Sequence, residues 1–552
     1  MSLIPAKPKV LIVSGGYLSA KDDNLWVLLK KQIAQYTLAQ DSWLEAKVKL
    51  GFAEPLLSGA LELRKAKRKM PSELQKFFDS TENLSTPELT EVVLATELRD
   101  AGLDFEILTY DDLFRRPKHA KTLMDRCEVT FASSTFLRDL SELMPLVNTL
   151  WRSGKKLIVG GALAGSLCHD WEGSPKVDVL AIGYGEMLIP ALAKWIHSGF
   201  SVLAPPEGGR LVNKAHTQFM YSGVPATLNL DHLTRPDWAL VEKYHGEDFS
   251  LIHYESVRGC PYRCAFCNYP FLFDDFKFRT KSARRMAEDW AFYKKELGVK
   301  YIGCLDSLFT MPKSRLIDFC NELLARNVDV KWFCYARADD LADLQVVELM
   351  KRAGCIQVQI GVESGDRQQL LNMSKGASIE DTAKGLQNCR KAGLTSVATL
   401  VVGFPGETES SLEATFQFLK ANPPDFYFLC IFSTRVPGVP VLSKANREKF
   451  GLVTDDNAHT ISPYWTHRTM SCADVGVQVR RLNRRLVDEK VSLDAALFYK
   501  SVLKFTPSLW EQLLDFQYRS QQRKWLRLVF DWIHFWVDWN LKRKVRRRFG
   551  LA

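Results

Sequence analysis

Across the first two hundred positions, apolar residues fall in short runs separated by stretches with helical spacing. Val10–Ser14 is the first run and ends at Ser14-Gly15-Gly16. The stretch PELTEVVLATELRDAG, from Pro87, repeats its apolar positions as a helix does. Thr86 suits its N-cap, and Gly102 suits the position past its C-cap. The strand-like DFEILTY follows, then EVTFASS ending at Ser133-Ser134 and a helix near Leu140–Trp151. Next come KKLIVGG ending at Gly160-Gly161, VDVLAIGYGE carrying Gly183, Gly185 and Glu186, and the helix MLIPALAKWI. Such alternation predicts an α/β fold with a parallel, doubly wound sheet, in which ligands lie beyond the carboxyl ends of the strands. Small residues at those ends let a ligand approach the backbone. Residues 1–200 are thus expected to form a Rossmann-like domain, interrupted at about 20–85 by a helical insertion. The basic run Arg64–Lys69 in that insertion reads as a solvated helix face or a partner surface.

Residues 201–250 are rich in Pro and Gly and read as a linker. A second strand–helix series follows, with strands LIHYESVR, VKYIGCLD, VKWFCYAR, IQVQIGVES, SVATLVVGF and DFYFLCIF. Six strands with crossover helices predict a (β/α)6 partial TIM barrel over 251–445, with its chemistry at the strand carboxyl ends. Residues 446–552 are predicted to be a helical C-terminal region with a basic, aromatic tail.

Composition narrows the class. The chain has 552 residues, 46% hydrophobic and 25% charged, which excludes wholesale disorder and a membrane bundle. No apolar run approaches the ~20 residues of a spanning helix, and the VLIV run near the start is too short for a secretory signal. A cytoplasmic protein is expected, and the twelve cysteines are expected as reduced thiols. Nine are scattered, several in apolar strands where a small buried hydrophobe is the plain reading. Cys260, Cys264 and Cys267 fall within eight residues, in a loop with Gly259 and Pro261. One segment could wrap a single metal centre: zinc with a fourth ligand such as His253, or an iron–sulfur cubane with one iron left open.

The spacing C-x3-C-x2-C, with Phe266 before the last cysteine, resembles the radical S-adenosylmethionine (SAM) superfamily. The resemblance extends to Arg337 in CYARADDL, Gly361-Val362-Glu363-Ser364-Gly365 after the fourth strand, and the GFPGET turn at Gly403. It implies a 4Fe–4S cluster on the three cysteines and SAM on the open iron, with Phe266, Arg337, Glu363, Ser364 and Gly403 as SAM contacts. Read alone, Glu363 could be a helix N-terminal acid, Arg337 could pair with Asp339 or Asp340, and Asp306 could be a turn residue or a catalytic group.

The loop series upstream of that core resembles the cobalamin-binding radical SAM subfamily, over roughly residues 8–440. Ser14, Gly15, Gly16, Ser133, Ser134, Gly160, Gly161, Gly183, Gly185 and Glu186 match its cobalamin positions. None of the ten histidines lies two residues after an Asp, so no histidine ligand to cobalt is expected. The resemblance implies a methyltransferase acting on an unactivated carbon or phosphorus centre through a 5′-deoxyadenosyl radical and methylcobalamin. Three alternatives stay open: a cobalamin-dependent cyclase or rearrangement enzyme, an RNA-modifying radical SAM enzyme, and a non-catalytic cobalamin-binding regulator. Residues 1–250 hold only Cys127 and Cys168, too few for the second cysteine triad of the RNA-modifying methylthiotransferases. The expected partners are a small-molecule, peptide or lipid-like substrate and an electron donor such as flavodoxin or ferredoxin. Tyr464, Trp465 and His467 are candidates at the substrate, with His467 a candidate base.

The net charge of +10 has an address. Residues 523–548 hold nine Lys and Arg against Asp531 and Asp538, around KWLRLVFDWIHFWVDWNL. Arg527, Asp531, His534 and Asp538 form one polar stripe at helical spacing. The readings are a helix docked on the protein with a solvated basic end, or a helix on the surface of a membrane, peripheral to its inner face. No nucleic-acid-binding motif accompanies the charge, and nucleic acid is not expected as a partner.

Overall fold

The computed structural model describes residues 9–15, 42–66, 70–79, 86–137, 139–246, 248–271, 277–434, 438–457, 460–498 and 506–550. Gly16, the first part of the expected insertion and the end of the Arg64–Lys69 run lie outside the described residues.

Two sheets organise the chain. The first contains β1 (Lys9–Ser14), β2 (Asp104–Thr109), β3 (Val129–Ser133), β4 (Lys156–Gly160), β5 (Val179–Ile182), β6 (Arg210–Lys214) and β7 (Thr217–Tyr221). Its order among the described residues is β2-β1-β3-β4-β5-β7-β6, parallel except at the β6 edge. The order 2-1-3-4-5 is flavodoxin-like and puts the topological switch between β1 and β3. Val10–Val13 have no exposed surface, as strands covered on both faces require.

One boundary changes. The 201–250 stretch contains the hairpin β6–β7, which extends the first sheet and is not linker. Its first strand, RLVNK, is mostly exposed, so its apolar pattern is thin.

The second sheet has β8 (Leu251–Tyr254), β11 (Tyr301–Cys304), β12 (Lys331–Ala336), β13 (Cys355–Glu363), β14 (Thr395–Val402), β15 (Phe426–Ile431) and the short β18 (Leu493–Asp494), all parallel. The first six are the predicted barrel strands, and crossover helices cover their outer face. The pair β9 (Val257–Arg258) and β10 (Arg279–Thr280) is antiparallel and brackets the cysteine loop. The C-terminal region is mainly helical, but it also supplies β18 and a hairpin, β16 (Val453–Asn457) with β17 (Thr460–Thr466). The tail is a 26-residue helix, Lys524–Phe549, closed by Gly550 in the left-handed region.

Candidate active site

The cysteine loop leaves β9 through Gly259, whose φ is +76° and where a Cβ would collide with the Lys277 carbonyl. Only glycine fits that departure. The loop is then pinned by backbone: Ala265 N–H donates to Met373 O at 2.8 Å, Val441 N–H to Ala265 O at 2.9 Å, and Cys267 N–H to Cys264 O at 3.1 Å. All three cysteines are partly exposed, unlike Cys304, Cys320, Cys334, Cys355, Cys389 and Cys472, which are buried. Burial pushes the Cys264 thiol up, and burial with the neighbouring Cys264 and Cys260 pushes Cys267 to about 11. Thiols crowded on one loop hold thiolate charge well only when metal neutralises it. Among the described residues no three His, Cys, Asp or Glu side chains, the three cysteines included, are gathered as they would be around a metal ion. His253, the sequence candidate for a fourth zinc ligand, is buried on β8, and burial alone takes its imidazole down to about 4. Cys260, Cys264 and Cys267 are the donors that this loop would offer to an iron–sulfur cluster.

Opposite the loop, β13 ends at Glu363 with φ +61°, after a register shift at Gly361. Positive φ at a non-glycine strand end is strain of the kind held at functional sites. The Glu363 carboxylate pairs at 2.8 Å with the buried Lys375 ammonium. Burial disfavours that charge, and Glu363 and Cys264 more than restore it. A Cβ at Gly361 would press on both partners, so the glycine makes room for the pair. Nothing in the sequence marks Lys375: it is a lone lysine in a turn.

Arg337 leaves the end of β12 and is 5% exposed. It grips Asp339 through Nε at 3.0 Å, donates from Nη1 to Lys375 O at 3.0 Å, and lies 3.8 Å over the Tyr262 ring. The Asp339 pairing is the alternative the sequence left open, but it is made by a buried guanidinium. Two of its five N–H groups remain for an incoming carboxylate. Phe266 packs edge-on to Phe404 in the GFPGET turn. Ser364 turns its hydroxyl to Thr415 and to the Asp366 amide, which holds the helix start after β13.

Two sequence candidates are held by local partners. Asp306 is 1% exposed and accepts from the Ser256 amide at 2.6 Å and the Val257 amide at 2.8 Å, fixing the approach to the cysteine loop. Burial raises it to about 6. His467 is buried and stacked on Trp465; Nε2 lies 3.2 Å from Gly403 O, and Nδ1 lies 3.0 Å from Thr469 Oγ1. Burial takes it down to about 4, so it is neutral and ties β17 to the Gly403 turn. Tyr464 and Trp465 are buried beside it.

The mouth of the first sheet differs in kind. At its β1–β3 switch, Gly15 N–H donates to Glu88 Oε2 at 2.9 Å, and Ser133 Oγ to Glu88 Oε1 at 3.1 Å. Ser14 Oγ donates to Glu91, and Tyr110 to Ser133 O. Burial raises the Glu88 carboxyl against those donors. Ser134 Oγ donates to Gly160 O at 2.7 Å. Cβ atoms at Gly161 and Gly183 would collide with Thr135 and Ser222, at φ +100° and +107°. Phe136, half exposed, covers Gly15, and the sequence alone does not flag it.

The two mouths are joined. Glu186, expected at cobalamin, pairs with Arg258, two residues before Cys260. Burial opposes the Arg258 charge, and Glu255 and Glu186 more than offset it. Arg279 of β10 has no exposed surface and donates to Tyr184 Oη at 3.1 Å. The β5 loop therefore clamps both strands that bracket the cysteines.

A profile of the Radical SAM superfamily matches residues 254–419. Over that segment the chain is similar to the radical SAM superfamily. The match runs from the end of β8 through β14 and the helix after it, and contains the cysteine loop, Arg337, Glu363 and Gly403. The chain is also 29% identical over 271 residues to an uncharacterized methyltransferase of Pyrococcus horikoshii, covering 48% of this chain and 57% of that one. It is 26% identical over 269 residues to the anaerobic magnesium-protoporphyrin IX monomethyl ester cyclase of Rubrivivax gelatinosus, covering 46% of each. The chain thus spans about half the length of these curated relatives. Its fold is similar to the radical SAM methyltransferase TsrM of Kitasatospora setae, solved with tryptophan substrate and a SAM analogue. The TM-score is 0.52 at 16% identity, over 66% of this chain and 75% of that one. A second TsrM structure, with cobalamin and a [4Fe-4S] cluster bound, gives 0.52 at 17% identity, over 66% of this chain and 77% of that one.

Proposed function

We propose that this protein is a cobalamin-dependent radical SAM methyltransferase acting on an unactivated carbon or phosphorus centre. The observation that carries the reading is the clamp. Arg258–Glu186 and Arg279–Tyr184 fasten the carboxyl edge of a flavodoxin-like sheet to the strands bracketing three cysteines. The likeness to TsrM supports it, because that likeness spans more of the chain than the barrel alone.

Cys260, Cys264 and Cys267 would hold a 4Fe–4S cluster, and the β1–β3 mouth, with Ser14, Gly15, Ser133 and Ser134, would hold cobalamin. When bound, the cluster supplies the electron that cleaves SAM and cobalamin carries the methyl group. This chain's own residues bind and orient. Glu363, fixed by Lys375, offers carboxylate oxygens to the SAM amino group. Arg337 offers its remaining N–H pair to the SAM carboxylate as a guanidinium fork. Phe266 and Phe404 wall the site from water. Glu88, its carboxyl raised by burial, would help shape the cobalamin mouth through its bonds to Gly15 and Ser133. The reaction also needs a one-electron donor such as flavodoxin or ferredoxin.

The Rubrivivax relative favours a second reading, a cyclase without methyl transfer. Product analysis separates the two. A methyltransferase yields S-adenosylhomocysteine together with 5′-deoxyadenosine, whereas a cyclase yields only the latter. The RNA-modifying alternative is weaker, because Cys127 and Cys168 are both buried in the first domain.

A further inference from the structure

The tail helix docks on the protein along one face. Its buried residues are Leu526, Phe530, His534, Val537, Asp538, Leu541 and Val545. Three of the four polar-stripe residues are bonded to the protein from this side: Asp538 pairs with Lys47 and Arg480, Asp531 with Arg484, and His534 lies 3.2 Å from Glu54. The fourth, Arg527, reaches Asp488 at 3.1 Å. These partners lie on helices Ser42–Ala66 and Cys472–Asp488, so the polar stripe docks the helix together with Leu526, Phe530, Val537, Leu541 and Val545.

The opposite face carries Trp525, Leu528, Val529, Trp532, Phe535, Trp536 and Trp539. Trp532 and Phe535 are each 70% exposed. Their spacing of three and four makes one continuous stripe. The other exposed large hydrophobics are scattered through the chain, as on any protein surface. A contiguous aromatic stripe is different, and marks an interaction site. The same stripe continues past Trp539 into Arg543, Arg546 and Arg547, all exposed, and the Arg543 guanidinium lies 5.5 Å over the Trp539 ring. Among the described residues no helix is long and apolar enough to cross a membrane.

We propose that the helix Lys524–Phe549 lies flat on an anionic lipid surface. The Trp525–Trp539 stripe enters the boundary between headgroups and acyl chains, and Arg543, Arg546 and Arg547 meet lipid phosphates. Three observations choose lipid over a protein partner. Four tryptophans on one face suit the interface, where a ring can be apolar at its body and polar at its edge. The cations follow the aromatic stripe on the same face, so one flat surface that is apolar inside and anionic at its rim satisfies both. A second copy would bring no open carboxylate from this helix, since Asp531 and Asp538 are held by Arg484, Lys47 and Arg480. The inference does not depend on the proposed reaction.

The test is sedimentation of the full-length protein with vesicles of phosphatidylglycerol and phosphatidylcholine in equal parts, beside phosphatidylcholine alone. The wild type should bind the anionic vesicles with a blue shift of tryptophan emission. The variant Trp532→Ser/Phe535→Ser/Trp539→Ser should lose at least tenfold in partitioning, about what removing three interfacial aromatic anchors removes. Its thermal melt should be unchanged, because these side chains are exposed. Arg543→Gln/Arg546→Gln/Arg547→Gln should lose on the order of a hundredfold for anionic vesicles, at about 1 kcal/mol per cation, and keep its weaker binding to phosphatidylcholine. Absence of wild-type binding, or equal binding by the aromatic variant, overturns the proposal. So does a dimer abolished by the aromatic variant but not displaced by vesicles.

Discussion

The two sheet mouths are built on opposite plans. At the first, Glu88 accepts from Gly15 and Ser133, Ser14 donates to Glu91, and glycines are packed so closely that no side chain fits. At the second, charge is kept in place by strain and burial: Glu363 at positive φ, Lys375 buried against it, Arg337 stacked on Tyr262, and three thiols half open. A mouth that satisfies itself can hold a large preformed group by shape. A mouth with unspent N–H groups and thiols is made to hold charge and ligate metal.

That contrast can be broken most sharply at the cysteines. Replacing Cys260, Cys264 and Cys267 together by Ala should abolish iron and sulfide uptake on anaerobic reconstitution while leaving cobalamin uptake unchanged. Iron and sulfide assay beside visible spectra reads both. Next in size is the buried pair. Lys375→Met leaves Glu363 buried and unpaired, and should cost about 3–5 kcal/mol in urea unfolding. Glu363→Gln/Lys375→Met should recover much of that loss yet bind SAM poorly; the double-mutant cycle separates the stability of the pair from its use. At the first mouth, Gly183→Ala meets Ser222 in a backbone conformation costly for L-residues. It should cost about 1–3 kcal/mol and lower cobalamin uptake, with iron content intact.

The smallest effect is a pH slope. Burial raises Glu407 from 4.5 to about 8, against the Gly403 amide that donates to it. Between those values the folded chain holds a proton that the unfolded chain releases, so stability falls as pH rises from about 4.5 to 8. Glu407→Gln should flatten that part of the urea-midpoint profile and leave wild-type stability nearly matched at low pH.

Much of this frame is legible in the residues. Six barrel strands and five of the first sheet read directly, as short runs rich in apolar residues between stretches of helical spacing. The cysteine loop reads because three thiols in eight residues are rare and local. What stays hidden is long-range or one residue deep. The hairpin Arg210–Tyr221 has an exposed strand with little apolar pattern. Lys375 meets Glu363 only after the chain turns, and Arg258 meets Glu186 across 72 positions. The tail shows its polar stripe and its aromatic arc, but periodicity carries no sign of which side faces the protein. That depends on Lys47, Arg480 and Arg484.

The central claim, that the cysteine mouth cleaves SAM while the first mouth holds the methyl carrier, meets one measurement most directly. The protein is reconstituted anaerobically with iron, sulfide and hydroxocobalamin, then given SAM and a strong one-electron reductant. 5′-Deoxyadenosine should form in wild type and be absent in the triple-cysteine variant, although that variant keeps its cobalamin spectrum. A wild-type protein that carries a full cluster and cobalamin yet yields no 5′-deoxyadenosine would contradict the account.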